Sequence, residues 1–138
     1  MRRFNFRLSQ AVAAALLLGT LATGLLAAER HLALVKSDPA NSSTLVQAPK
    51  AITLWFSQTP NLKLTRIVLT HGADTIKTGA VMAADTSGKT VRATIDTMLA
   101  SGKYQIMWRT LSRDGHAVAG KIAFAIDTVT KPSVSQKR

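Results

Sequence analysis

Apolar and polar residues alternate at a period of two through the second half of the chain. One face of the predicted strand that ends at Leu111 carries Tyr104, Ile106, Trp108 and Thr110. The same alternation returns from residue 118 to residue 126. Alternation of this kind is typical of strands that bury one face and leave the other in water. The two stretches therefore predict two long, half-buried strands with a polar corner between them.

Five shorter segments also have the composition of strands. They lie at 31–37, 52–57, 64–70, 75–78 and 90–95, and clusters of Gly, Pro, Asn, Asp and Ser separate them. After the first 28 residues, a helical pattern is confined to a brief turn expected at Met98 and Leu99. Short alternating strands at this spacing predict an all-β protein, an antiparallel β-sandwich.

The first 28 residues are expected to be a cleaved signal peptide. Arg2, Arg3 and Arg7 make a positive start, an apolar segment follows, and Ala28 ends a suitable signal-peptidase site. An uncleaved membrane anchor is disfavoured because the segment is rich in Ala, Gly and Thr. We therefore expect a periplasmic protein with one domain at 29–127, a polar basic tail at 128–138 and no membrane span after cleavage.

The net positive charge of the chain is compatible with several classes of partner. The sequence has 18 basic and 7 acidic residues; removing the three leader arginines leaves 15 basic residues and a net charge near +8. Export, scattered cations and few aromatic residues argue against nucleic acid. Acidic proteins and anionic lipids stay open as partners. The chain has no cysteine, so any metal must bind to His, Asp, Glu, Met or backbone groups.

The polar corner is the sequence Ser112-Arg113-Asp114-Gly115-His116. It presents a carboxylate and an imidazole at i and i+2, with a glycine between them that lets the backbone bend. An oxygen donor and a nitrogen donor on one corner are half of a metal site. Asp-Gly is also a common hairpin turn, in which His116 would only be solvated. The corner alone leaves both interpretations open.

Three segments together resemble the CopC family of periplasmic copper-resistance proteins. They are His-Leu-Ala-Leu-Val-Lys-Ser-Asp-Pro-Ala at 31–40, the strand at 49–57, and the stretch at 102–120 that contains Met-Trp-Arg-Thr-Leu-Ser-Arg-Asp-Gly-His. The resemblance extends from His31 to about Asp127. It implies an immunoglobulin-like Greek-key β-sandwich or barrel of about seven strands. It also implies a Cu(II) site made by His31, Asp114 and His116.

The start of the chain departs from the CopC pattern. The family's site commonly has its histidine at the mature N-terminus, whereas Arg30 precedes His31 here. Cleavage after Ala28 would make His31 the third residue. Two arrangements then stay open: a site shared with Asp114 and His116, or a chelate made by the terminal amine, two backbone amides and the His31 imidazole.

Two further departures concern residues away from the start. Gln58 stands where many members have an acidic residue. The methionines are dispersed, so we expect no dedicated Cu(I) thioether site and predict that Met82, Met98 and Met107 fill the core. We also predict that Trp55 and Trp108 are buried and structural rather than part of a binding surface, and that His71 lies at a hairpin tip without a metal role.

The function expected from these features is binding rather than catalysis. The protein would sequester or carry Cu(II) in copper resistance and homeostasis. Its partners would be copper and either an inner-membrane copper transporter or another periplasmic copper protein. One alternative is an immunoglobulin-like interaction module with a degraded metal site, which Cu(II) dialysis would distinguish. A less favoured one is a copper-dependent oxidase, which an oxidase assay with copper and a reductant would detect.

Overall fold

The computed structural model describes residues 31–128. Residues 32–128 belong to one compact unit, and His31 belongs to the segment that precedes it. The expected signal peptide at 1–28 lies outside the described residues, as does the basic tail beyond Thr128.

Within residues 31–128 the chain forms nine strands. They are β1 (Leu34–Asp38), β2 (Ser43–Leu45), β3 (Ala51–Phe56), β4 (Arg66–His71), β5 (Asp74–Ile76), β6 (Met82–Ala83), β7 (Thr90–Thr94), β8 (Gly102–Leu111) and β9 (Ala117–Ile126). The first sheet has the order β1-β3-β7-β6, and the second has the order β2-β9-β8-β4-β5. Successive segments of the chain pass repeatedly from one sheet to the other, and the two sheets form a β-sandwich. The predicted all-β class is confirmed.

Seven of these strands match the predicted ones, with ends displaced by up to three residues. Two strands were not predicted: β2, which pairs in parallel with β9, and β6, which pairs with β7. They have three and two residues, too few for an alternating pattern to be recognised. The helical turn expected at Met98 is wrong. Met98 lies outside any helix or strand and is exposed, and a short 3-10 turn lies instead at Leu62–Leu64.

The core between the sheets comes from the alternation that the sequence displays. The inward face of β8 is buried along its length, and it meets Ile52, Leu54 and Phe56 of β3. Trp108 is 6% exposed, and its ring meets that of Phe56 edge-on at 5.3 Å. The prediction that Trp108 is structural is confirmed.

Two packing predictions are wrong. Trp55 is only half-buried, because it lies on the outer face of the first sheet, where the Lys36 ammonium sits 4.8 Å from its ring centre. Met82, Met98 and Met107 are exposed by 59%, 95% and 36%, so they do not fill the core. The methionines lie in β6, in the β7–β8 connection and on the outer face of β8. Their positions in the strands or in the connection direct these side chains outward, although methionine is hydrophobic.

The link between β3 and β4 supports the end of β8. The backbone N–H of Asn61 donates to the Leu111 carbonyl at 3.0 Å. Thr65 and Thr110 are buried, and their hydroxyls hydrogen-bond at 2.7 Å. Because β8 and β9 pair continuously from Gly102 to Leu111, the residues after Leu111 are held as a short loop on a rigid hairpin. This loop is the polar corner.

Between residues 31 and 128, no helix is long and apolar enough to cross a membrane.

Candidate metal site

The backbone of the corner is closed by two hydrogen bonds. The N–H of Gly115 donates to the Ser112 carbonyl at 3.0 Å, and the N–H of Ser112 donates to the His116 carbonyl at 2.9 Å. Gly115 has a φ of +87°, a conformation that glycine adopts without steric cost. The tight turn holds the side chains at 114 and 116 on one side of the hairpin tip.

The Asp114 carboxylate is the centre of the corner. Its Oδ1 accepts from the Ser112 hydroxyl and from the His116 backbone N–H at 3.4 Å. Its Oδ2 lies 2.7 Å from His116 Nδ1. In the tautomer that carries the ring proton on Nδ1, this N–H donates a hydrogen bond to the carboxylate. Nε2 of the same ring then has a free lone pair. The His116 side chain is 79% exposed, so this lone pair is accessible from solvent.

The hydrogen bonds at the corner favour the ionised carboxylate. The Ser112 hydroxyl, followed by the His116 ring, holds the pKa of Asp114 well below its ordinary value. Asp114 therefore stays negative in weakly acidic solution and keeps its attraction for a cation or for a protonated imidazole.

The start of the domain is fixed at the same end of the sandwich as the corner. Leu32 is buried at 4% exposure. Ala33 exchanges two hydrogen bonds with Ser57, both 2.9 Å long: its N–H donates to the Ser57 hydroxyl, and the Ser57 N–H donates to its carbonyl. Ser57 begins the connection that reaches Leu111 through Asn61. His31 directly precedes Leu32 in the chain and is exposed.

The structure brings two of the three predicted ligands together. Asp114 and His116 are in direct contact. Across the described part of the chain, no group of three or more His, Cys, Asp or Glu side chains is arranged to hold a metal ion. His71 lies at the far end of β4, at the tip of its hairpin with β5, as predicted.

Comparison with known proteins identifies the family. The CopC domain model matches residues 34–127. This chain belongs to the CopC family. The CopC-family chain is 34% identical over 102 residues to copper resistance protein C of Xanthomonas campestris pv. juglandis, covering 70% of this chain and 80% of the relative.

Solved structures show the same fold. The match to the crystal structure of CopC from Methylosinus trichosporium OB3b covers 70% of this chain and 94% of that chain. Its TM-score is 0.65 at 24% identity, which supports the fold. PcoC from Escherichia coli, a methionine-rich copper resistance protein, covers 70% and 99% respectively, with a TM-score of 0.61 and 26% identity.

Ser112 is the residue of this CopC-family corner that the sequence did not single out. It is buried, and its hydroxyl bonds to Asp114 while lying 3.2 Å from the His116 carbonyl. A serine two residues before an aspartate at a turn is the available signal, because such hydroxyls often hydrogen-bond locally. Its role is to orient the carboxylate that in turn orients the imidazole.

Proposed function

We propose that this CopC-family chain is a periplasmic protein that binds Cu(II) and sequesters or carries it. The ligands would be His116 and Asp114, with His31 as the third. The observation that carries the proposal is the contact of 2.7 Å between His116 Nδ1 and Asp114 Oδ2 on an exposed, hydrogen-bonded corner. Imidazole and carboxylate together are a donor set that suits Cu(II).

The spacing of the two side chains fits a metal in either of two ways. Two ligand atoms at about 2.0 Å from a metal and at a right angle to each other are about 2.8 Å apart. Cu(II) that displaces the shared proton can therefore bind Nδ1 and Oδ2 at their present separation, once the ring turns so that the Nδ1 lone pair faces the metal. Alternatively Nε2 binds the metal while Asp114 orients the ring from Nδ1, as carboxylates commonly do for metal-bound histidines.

His31 is proposed as the third ligand, and the two residues that follow it in the chain have fixed positions. Leu32 and Ala33 are anchored at the end of the sandwich that carries the corner. His31 immediately precedes them in the chain, and its place in the proposal rests on the resemblance of residues 31–40 to the N-terminal segment of the CopC family. Cleavage of the leader after Ala28 would leave His31 near a free amine, so export and processing are part of this proposal.

Equilibrium dialysis with Cu(II) tests the proposal. The samples are the processed wild type, His116→Ala and the matched control His71→Ala, which removes the other imidazole of the sheet. Wild type should bind one Cu(II), and His116→Ala should lose at least about 100-fold in affinity, more than the loss of an orienting residue alone causes. His71→Ala should stay within about twofold.

The same dialysis separates the alternatives. A wild type without stoichiometric binding favours the interaction module with a degraded site. Equal losses in His116→Ala and His71→Ala would mean that copper binds through scattered imidazoles, which contradicts the proposed site. Unfolding curves of all three proteins control for loss of the fold.

A further inference from the structure

The outer face of the second sheet carries an apolar centre ringed by cations. The strand register places Arg66 and Val68 of β4 beside Arg109 and Met107 of β8, which lie in turn beside Ala119 and Lys121 of β9. We call these six residues the Met107 patch. They lie on one face because residues directly opposite each other in a ladder, and residues two apart in a strand, point the same way.

Together with Trp108 and Gly120, the patch lines a shallow depression of about 530 Å³. Val68 and Met107 are each 36% exposed at its centre. The alternate residues of the same strands, including Ile67 and Ile106, point into the core and are buried. The floor of the depression is therefore a rigid sheet rather than a loop that could rearrange.

The charges on this face have one sign. The outward positions of β4, β8 and β9 hold the cations Arg66, Lys103, Arg109 and Lys121 and no carboxylate. The one ion-pair contact found between described residues joins His116 and Asp114. The Arg66 guanidinium donates to the carbonyls of Lys63 and Thr65, both at 3.0 Å.

Arg66 and Arg109 are direct cross-strand neighbours. Like charges in this position destabilise a sheet, and no carboxylate of residues 31–128 forms an ion pair with either arginine. An anionic group from another molecule would relieve the repulsion.

We propose that the Met107 patch is a docking surface for a protein partner that presents carboxylates around an apolar side chain. Arg and Met are enriched at protein interfaces, where an apolar centre lies inside a polar rim. Trp108 lines the depression but is only 6% exposed, so the patch presents no protruding aromatic ring of the kind that anchors proteins at a lipid interface. A second copy of the chain would bring cations against cations. The patch adjoins the corner, because Arg109 lies two residues before Leu111.

The test uses metal-free protein labelled with 15N and a synthetic peptide, acetyl-Glu-Glu-Leu-Glu-Glu-amide. Saturable amide shifts should be confined to the outer positions of β4, β8 and β9. Arg109→Glu should weaken binding at least about tenfold, since it reverses a charge inside the patch. Lys50→Glu makes the same change of net charge outside the patch and should alter binding by less than about twofold. A peptide with Gly in place of Leu should bind more weakly.

Three outcomes would overturn the proposal. Shifts scattered over many lysines, or equal effects of Arg109→Glu and Lys50→Glu, would mean attraction by net charge alone. Sedimentation with phosphatidylglycerol vesicles that Arg109→Glu abolishes, without peptide binding, would assign the patch to a lipid surface. In dialysis Arg109→Glu should still bind one Cu(II), so failure of the docking surface is distinguishable from failure of the copper site.

Discussion

The two ends of the second sheet carry the same residue types in different arrangements. At one end, His71 and Asp74 are a cross-strand pair on the two sides of a hairpin tip. At the other end, Asp114 and His116 flank a single glycine in a closed turn. The first pair forms no hydrogen bond among the described side-chain contacts, whereas the second pair lies at 2.7 Å.

The imidazoles are consequently available for different things. The His71 ring stacks on Tyr104 with centres 4.5 Å apart and lies close over Gly102, where a Cβ would come within 2.7 Å of its Nε2. Its role is packing. The His116 ring is held from one nitrogen and open at the other. A histidine near an aspartate thus becomes a candidate ligand through the hydrogen-bonded turn rather than through composition.

The largest expected effect concerns the packing beneath the corner. Trp108→Ala should lower the free energy of unfolding by about 3–5 kcal/mol, because it leaves a large cavity against Phe56. His71→Ala, at the other end, should cost only about 0.5–1.5 kcal/mol for the lost ring contact. Urea unfolding measures both. Equal losses of unfolding free energy in the two variants would remove the distinction between the two ends. An unfolding free energy for Trp108→Ala equal to that of the wild type would refute the strand assignment.

A conservative replacement refines the same measurement. The Trp108 Nε1–H is buried, with no hydrogen-bond partner among the described residues. The Trp108 ring therefore stabilises the fold by packing. Trp108→Phe should lower the free energy of unfolding clearly less than Trp108→Ala.

The next effect concerns the carboxylates of the two ends. Asp114→Asn should weaken Cu(II) binding by about 10–100-fold, as loss of an orienting carboxylate commonly does. Asp74→Asn should leave it within about twofold. Isothermal titration with Cu(II) in a competing chelator gives both affinities. An equal response of the two variants would mean that Asp114 acts through net charge alone.

The pKa of Asp114 sets the pH at which its carboxylate stops stabilising the folded protein. The Ser112 hydroxyl and then the His116 ring lower it in the folded protein. The stability gained from the ionised carboxylate is thus present above the unfolded pKa of about 4 and is lost only as pH falls through the lower folded value.

The smallest effect is offered by two matched glycines. Gly115 and Gly72 have φ values of +87° and +61°, and a Cβ at either would meet no atom within 4 Å. Alanine at either position should cost about 1–2 kcal/mol of backbone strain. Only Gly115→Ala should also weaken Cu(II) binding, because only that turn aligns a carboxylate with an imidazole. Equal copper affinities in the two variants would show that the corner need not be rigid.

The sequence predicted most of the fold because the long strands alternate. Tyr104, Ile106 and Trp108 point inward as the pattern requires. Alternation alone did not reveal which sheet face would be covered, so Trp55 was placed in the core although it lies outside. Strands of two or three residues carry no periodicity, and β2 and β6 depend on partners distant in sequence.

The candidate site was predictable only in part. The i, i+2 spacing placed Asp114 and His116 on one corner, and the resemblance to the CopC family added His31. The spacing of Ser112 and Asp114 allows their hydrogen bond but does not determine it, because the bond also depends on the turn closing between Ser112 and His116. The patch around Met107 was equally hidden, since it arises from register across three strands.

Pulsed Cu(II) EPR on the exported, processed protein and on its His116→Ala variant tests the central claim most directly. The wild-type spectrum should contain couplings from metal-bound imidazole, and His116→Ala should lose one imidazole and change the copper hyperfine pattern. This result is expected if the corner binds the metal. A spectrum dominated by four nitrogens and identical in the two proteins would contradict it and would place copper in a chelate of the terminal amine, backbone amides and His31.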